Sequence, residues 1–220
     1  MGGMTRPRLL DLFCGAGGAT RGYQLAGFHV TGVDNRPQPR YVGDEFHHTD
    51  ALTFPLDGYD AIHASPPCQA YSVSTAANRA AGKDYPDLIG PTRDRLEAWG
   101  GTWVIENVPG APLRPDYRLC GCMFDLPGLK RERWFETSWR AFDLRPPCHH
   151  PDPIVTVVGH GPNHHSHYRR VPGHEWTALK HAAMGIDWMR REELGEAIPP
   201  AYTRHIGAQL LDALTAGTAA

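Results

Sequence analysis

The sequence predicts an α/β fold: a mostly parallel sheet with helices on both faces, joined to a small irregular lobe. Three observations carry this reading. Short apolar runs recur through the first half, each ending in a polar loop, as buried parallel strands do. The first run leads into a glycine-rich turn, a helix-like segment and a second apolar run, which together make a βαβ unit. From Glu136 to Trp176 the periodicity fails, and Pro and His crowd the chain.

The elements follow in order. Arg8 to Phe13 reads as the first strand and Cys14-Gly15-Ala16-Gly17-Gly18 as its turn. Ala19 to Ala26 reads as a helix closed by Gly27, where a left-handed cap suits glycine. Phe28 to Asp34 is a second strand, and a third is expected to end at Asp50. Tyr59–Ala64 and Thr102–Glu106 are further short apolar strands, the latter preceded by a helix from Pro91 to Trp99. Within the irregular stretch only Ile154–Val158 reads as a strand. Helices return at Glu175–Met184 and Pro200–Ala216, the last placing Ile206, Leu210, Leu211 and Leu214 on one face. The expected division is a core over 1–135, a reduced lobe over 136–176, and a return to the core over 177–220.

Composition bounds the function. At 220 residues the chain is one domain, or one with an appendage, and needs no staples to hold a core. It is 41% hydrophobic and 21% charged, so it reads as an ordinary soluble protein. No apolar run approaches the roughly 18 residues of a membrane span, and Met1 to Arg8 have no apolar core of a secretory signal. Five cysteines, an odd and sparse set, suit free thiols in a reducing cytoplasm. A formal charge of −2 argues against a general polyanion binder while leaving room for a local basic cleft.

Four groups of residues stand at strand ends, where α/β enzymes keep their sites. The glycine turn, with Phe13 before it, lets backbone approach a ligand closely. Asp34 could accept from ribose hydroxyls, and Asp50, followed by Ala51, from an adenine amino group. Two acids and no dinucleotide fingerprint suit a nucleoside cofactor without phosphates. Ser65-Pro66-Pro67-Cys68-Gln69 sets a thiol on backbone whose φ is frozen by two prolines. Glu106-Asn107-Val108 offers a carboxyl group able to act as an acid or to grip an amidine-like edge. In Lys130–Phe135, alternation places Arg131 and Arg133 on one face of an extended strand. After Cys68 a small, polar loop, Ser72 to Lys83, suits a lid.

Cys120 and Cys122 precede the arginines and Cys148-His149-His150 follows them. Four such ligands could close a zinc site, but Cys-Gly-Cys is one residue short of the usual knuckle. Packed thiols and surface histidines, with no metal, are the expectation.

In order and spacing, Asp11–Gly18, Ser65–Gln69, Glu106–Val108 and Arg131-Glu132-Arg133 resemble the cytosine-C5 DNA methyltransferase family. Ala183-Met184-Gly185-Ile186 and Leu194-Gly195-Glu196-Ala197-Ile198-Pro199-Pro200 look like its ninth and tenth motifs, and the short length is similar to its small bacteriophage members. Leu129 stands where the eighth motif has Gln, Glu196 where the tenth has Asn, and Asn35 follows Asp34 where an aromatic residue is common. The resemblance implies a Rossmann-like class I S-adenosylmethionine-dependent fold. It implies that Cys68 attacks C6 of a flipped cytosine, that Glu106 and Arg133 hold the ring, and that Arg131 supports them. Phe13, Gly15, Ala16, Gly17, Asp34, Asn35, Asp50, Ala51, Pro66, Glu196 and Ala197 would hold S-adenosylmethionine. Ser65, Pro67, Gln69, Asn107 and Val108 would line the base. Arg79 and Lys83 in the lid, and the histidines of 149–174 with Arg169 and Arg170, would face double-stranded DNA. The chain would work as a monomer in the cytoplasm of a bacterial or phage-infected cell. Transfer to tRNA or a free nucleotide, or from a modified donor, is the alternative.

Overall fold

The computed structural model describes residues 5–139, 145, 147–150, 153–157 and 173–217. It opens with β1 (Arg8–Leu12), α1 (Gly18–Ala26), β2 (His29–Asp34), β3 (Glu45–His48) and β4 (Ala61–Ala64). After the short helix α2 (Ala76–Ala80) come α3 (Ile89–Trp99), β5 (Thr102–Asn107), β6 (Tyr117–Leu119) and β7 (Arg133–Thr137). Helices α4 (Gly173–Met184), α5 (Arg191–Glu196) and α6 (Pro200–Gly217) finish the chain.

The seven strands form one sheet in the order β3-β2-β1-β4-β5-β7-β6. The first five are parallel, while β7 runs antiparallel to both β5 and β6. Strand order reverses between β1 and β4, which opens a crevice at their carboxyl ends.

Period-two alternation along the strands divides the core. Leu9, Val30, Ala61, Val104 and Phe135 face α1 and α6, packing on Tyr23, Tyr202, Ile206 and Leu210. Leu10, Leu12, Val33, Ile62 and Ile105 face the other way, onto Ile89 and Leu96 of α3. A third cluster joins Ala16 and Leu129 to Val155, Val157, Trp176, Met184 and Leu194. It fastens the described part of the irregular stretch and the C-terminal segment to the sheet's edge.

Helix α1 ends where expected: Gly27 takes φ 112°, and its N–H reaches the Tyr23 and Gln24 carbonyls. Against α6 the helix is close enough to exclude a methyl group. A Cβ at Gly22 would lie 2.0 Å from Thr203 Oγ1 and 2.3 Å from the Pro200 carbonyl oxygen. Backbone cannot yield as a side-chain tip can, so Gly22→Ala should cost about 2–3 kcal/mol. Thermal unfolding should show it as a midpoint roughly 5–10 °C lower; an unchanged midpoint would mean that α1 and α6 are not in this contact.

Three expectations need correction. The third strand ends at His48, so Asp50 lies two residues beyond it and instead starts a turn, its carbonyl accepting from Thr53 and Phe54. The stretch read as a strand over 154–158 makes, among the described residues, a single parallel bridge between Val155 and Leu129, a residue of the β6–β7 connection rather than of the sheet. Strand β6, three residues between loops, was not expected at all.

Candidate active site

The turn after β1 is built to leave space. Phe13 adopts φ 62°, a conformation costly for a bulky residue and concentrated at functional sites. Gly15 takes φ 51°, and a Cβ placed there would meet nothing within 4 Å, so the backbone faces an open volume. The Gly15 N–H donates to Asp34 Oδ2 at 3.0 Å, and the Arg36 N–H to Asp34 Oδ1 at 2.8 Å. Asp34 thereby ties the end of β2 to the glycine turn. Asp50 is exposed, its Oδ1 accepting from the Leu52 N–H at 2.9 Å, while Ala51 is buried. His48 Nε2 reaches the Asn35 carbonyl at 3.1 Å.

The C-terminal segment closes on this turn. Trp188 Nε1 donates to the Ala16 carbonyl at 3.0 Å, and Arg36 Nη2 to Glu196 Oε2 at 2.7 Å. A Cβ at Gly18 would sit 2.5 Å from the Ile198 carbonyl oxygen. Arg36 thus lies between Asp34 and Glu196, and Ala197 packs by Gly18, although about 160 residues separate Arg36 from Glu196 in sequence.

Beneath the turn Asp11 is fully buried. Thr20 Oγ1 donates to its Oδ2 at 2.5 Å, while Oδ1 has no partner. Burial pushes its carboxyl up to about 7 against the Thr20 hydrogen bond, with Asp34 and Glu106 adding to the rise. The folded state thus holds this proton more tightly than the unfolded chain does. Its stabilising contribution is complete below pH 4 and is lost as pH rises to about 7. Asp11→Asn should remove that slope: the gap between variant and parent should grow by up to about 4 kcal/mol from acid to pH 8. Urea unfolding at the two pH values measures it, and parallel curves would contradict it.

The prospective chemistry lies one strand over. The Ser65 N–H donates to the Leu12 carbonyl, fixing the start of the proline loop beside β1. Asn107 Nδ2 donates to the Pro66 carbonyl at 2.8 Å, and Asn107 Oδ1 accepts from the Val108 N–H. The side chain expected at a substrate therefore braces the loop that carries Cys68. Pro66 and Val108 are buried; Ser65, Pro67, Cys68 and Gln69 are half-buried. The Cys68 carbonyl accepts from Tyr71 and Ser72, a tight turn that holds the thiol at the crevice.

Glu106, next to last in β5, is 5% exposed. Arg133 Nε lies 3.1 Å from its Oε1, but the angle makes no hydrogen bond, and that oxygen is left without one. Burial pushes the Glu106 carboxyl up; Arg133, Arg131 and a Ser65 hydrogen bond pull it back. Burial likewise raises the Cys68 thiol, opposed first by Arg133, while Glu106 adds to the rise. Thiol, carboxyl and guanidinium thus feel one another across a single site.

Arg131 does different work from Arg133. It is buried, and its Nη2 donates to the Gly195 and Ala197 carbonyls at 3.0 and 2.7 Å, its Nη1 to Val157. Burial and Arg133 pull it down to about 9, so it stays charged at neutral pH. Its guanidinium clamps the tenth-motif segment, whereas Arg133 alone of the pair contacts Glu106. The carbonyls that claim Arg131 lie 26 to 66 residues away, beyond the reach of local alternation.

One residue escaped the sequence reading. His63, inside β4, is fully buried, and burial drives it down to about 3. Its neutral ring takes the Tyr23 hydroxyl on Nδ1 at 2.9 Å and meets Ser65 Oγ with Nε2 at 2.7 Å. A hydrogen-bonded chain Tyr23–His63–Ser65 thus runs from α1 to the start of the proline loop, and Ser65 helps hold the Glu106 carboxyl down. A histidine two residues before the proline loop, in an otherwise apolar strand, was the available signal.

In the lid, Arg79 Nη1 donates to the Gln69 and Ser72 carbonyls and to Thr75 Oγ1. That nitrogen ties the loop to itself. Lys83 lies 5.2 Å over the Tyr85 ring. His160, His164, His165, His167, Arg169 and Arg170 fall outside the described residues.

Strand order, glycine turn and crevice define the Rossmann-like class I methyltransferase fold. No known family's sequence profile matches the chain, and no curated protein is similar to it in sequence. Solved structures are similar in fold. A prophage-encoded E. coli protein described as a DNA modification methyltransferase superposes with a TM-score of 0.62 at 14% identity, over 95% of this chain and 99% of that one. The S. pombe Dnmt2 methyltransferase gives 0.60 at 14% identity, over 96% and 99%. The Entamoeba histolytica methyltransferase EhMeth gives 0.58 at 11%, again over 96% and 99%. Among the described residues no helix is long and apolar enough to cross a membrane.

Proposed function

We propose that the chain is a DNA cytosine-C5 methyltransferase using S-adenosylmethionine. The observation that carries this reading is the Glu106–Arg133 pair at 3.1 Å, tied through Asn107 to the proline loop that bears Cys68, with one buried carboxyl oxygen of Glu106 left without a hydrogen bond. An unsatisfied buried oxygen costs about 1–3 kcal/mol; a ligand hydrogen bond would offset that cost.

Cytosine C5 is a poor nucleophile. In this reading Cys68 Sγ, as thiolate, bonds to C6, and the electron pair of the C5–C6 bond moves onto the ring. Glu106 delivers a proton to N3, and Arg133 hydrogen-bonds O2. The neutralised enamine then presents C5 as a nucleophile; a later loss of the C5 proton expels the thiolate. Covalent addition divides one hard step into easier ones. Arg131 and Asn107 act as positioning residues, Arg131 beside the strand that carries Arg133 and Asn107 on the loop that carries Cys68.

S-adenosylmethionine supplies an electrophilic methyl group on sulfur. The open volume before Gly15 fits its body, the Asp34 and Asp50 carboxylates its hydroxyl and amino donors, and Phe13, Ala51, Pro66 and Ala197 its apolar faces. Asn35 and Glu196 stand at the rim. The target base must leave the stack at a cost of a few kcal/mol, under the loop 69–85. The reduced lobe 136–176 reads a short sequence context. The chain acts on double-stranded DNA as a monomer in the cytoplasm.

The test offers duplex DNA, tRNA and dCMP side by side with a labelled methyl donor. Label is expected in DNA, as 5-methylcytosine. Label confined to tRNA or dCMP would move the proposal to that substrate, and label in none would end it.

A further inference from the structure

Away from the crevice, the connection between β6 and β7 carries a second group of side chains. Cys120 and Cys122 come from its first turn, Cys148 and His150 from the segment that packs against it. Cys122 Sγ lies 3.3 Å from Cys148 Sγ. His150 Nε2 lies 3.4 Å from Cys120 Sγ, 3.8 Å from Cys122 Sγ and 2.7 Å from Cys148 Sγ. All four atoms fall within 4.8 Å of one another.

We propose that Cys120, Cys122, Cys148 and His150 bind one structural zinc ion. With Zn–S near 2.3 Å and Zn–N near 2.0–2.1 Å, a tetrahedron sets S···S edges of about 3.8 Å and S···N edges of about 3.5 Å. The observed separations surround those values, and three thiolates with one imidazole is an established closed donor set. Thiol packing alone explains the cluster poorly. Cys148 is exposed and His150 only half-buried, so little apolar burial draws them to the other two.

The short Cys-Gly-Cys spacing is accommodated by Gly121. A Cβ there would lie 2.5 Å from the Leu129 carbonyl oxygen, so only glycine lets the turn close against its own return. Around the cluster the same two segments are already joined. Arg145 Nη1 donates to the Met123 carbonyl at 2.7 Å, and the Val155 N–H to the Gly128 carbonyl at 2.8 Å. The ion would rivet the segment entering the lobe to the turn that follows β6. With four protein ligands it has no open position for substrate, so its role is structural. The inference does not depend on the reaction proposed above.

The experiment uses the full chain, purified without a histidine tag, with metals determined by mass spectrometry. About one zinc per chain is expected, retained in Cys68→Ala and lost in Cys122→Ser, Cys148→Ser and His150→Ala. Cobalt substitution should give a thiolate-to-cobalt charge-transfer band and tetrahedral d–d bands, both weakened in Cys148→Ser. Chelator should lower the thermal midpoint of the parent to that of Cys148→Ser and leave the variant unmoved, which separates metal loss from misfolding. A metal-free parent with all thiols titrating, a Cys122–Cys148 disulfide in peptide maps, or zinc retained by all three ligand variants would each overturn the proposal.

Discussion

Cys68→Ala is expected to abolish methyl transfer while leaving the fold intact. Cys68 is half-buried at the mouth of the crevice, and its backbone is held by prolines and by the Asn107 brace rather than by its sulfur. Deleting the sulfur therefore removes chemistry without opening the core. Loss of a covalent nucleophile costs at least about 10⁴-fold in kcat. Single-turnover assays with labelled donor measure the rate, and thermal unfolding measures the fold. A variant retaining even a tenth of the activity would remove the covalent step from the account.

Glu106→Gln should lower kcat by about 10²–10³-fold and change the shape of the pH profile. The carboxyl must be protonated to donate to N3, and burial favours that form. Activity should fall as pH rises through its ionisation, and the alkaline limb should vanish in the amide variant. The thiol must be ionised, so activity also requires loss of the Cys68 proton. The limbs are properties of the coupled pair, and Arg133 ties them together, since it holds down both the thiol and the carboxyl. Arg133→Ala should therefore move both limbs to higher pH as well as lowering the rate. A profile for Arg133→Ala that overlays the parent's would show that the guanidinium does not act on either group.

The prospective site was legible wherever a short apolar run handed directly to polar residues. The glycine turn, Ser65–Gln69 and Glu106–Val108 all stand at carboxyl ends of parallel strands, because a buried strand of four to six residues leaves little freedom in where its end falls. What could not be read locally was decided by partners far along the chain. Arg131 and Arg133 alternate alike, yet one is claimed by carbonyls of residues 157, 195 and 197. Asn107 looks like a substrate ligand until the Pro66 carbonyl arrives from another strand. Ile154–Val158 has the composition of a strand, yet among the described residues it makes a single bridge, from Val155 to Leu129. His63 passes for a core residue because its two hydrogen-bond partners come from α1 and from the loop that follows it. The short cysteine spacing is read the same way: the turn is closed by Leu129, not by the residues between the thiols.

The convergence of a thiol, an acid and a guanidinium on one extruded pyrimidine is tested most directly by trapping it. A duplex carrying 5-fluorocytosine at the target blocks loss of the C5 substituent, so the addition product should persist through denaturation. Proteolysis and mass spectrometry should then find the nucleotide and one methyl group on the peptide that contains Cys68. Attachment at Cys14, Cys120, Cys122 or Cys148, or methylated product formed with no trapped peptide, would contradict the account.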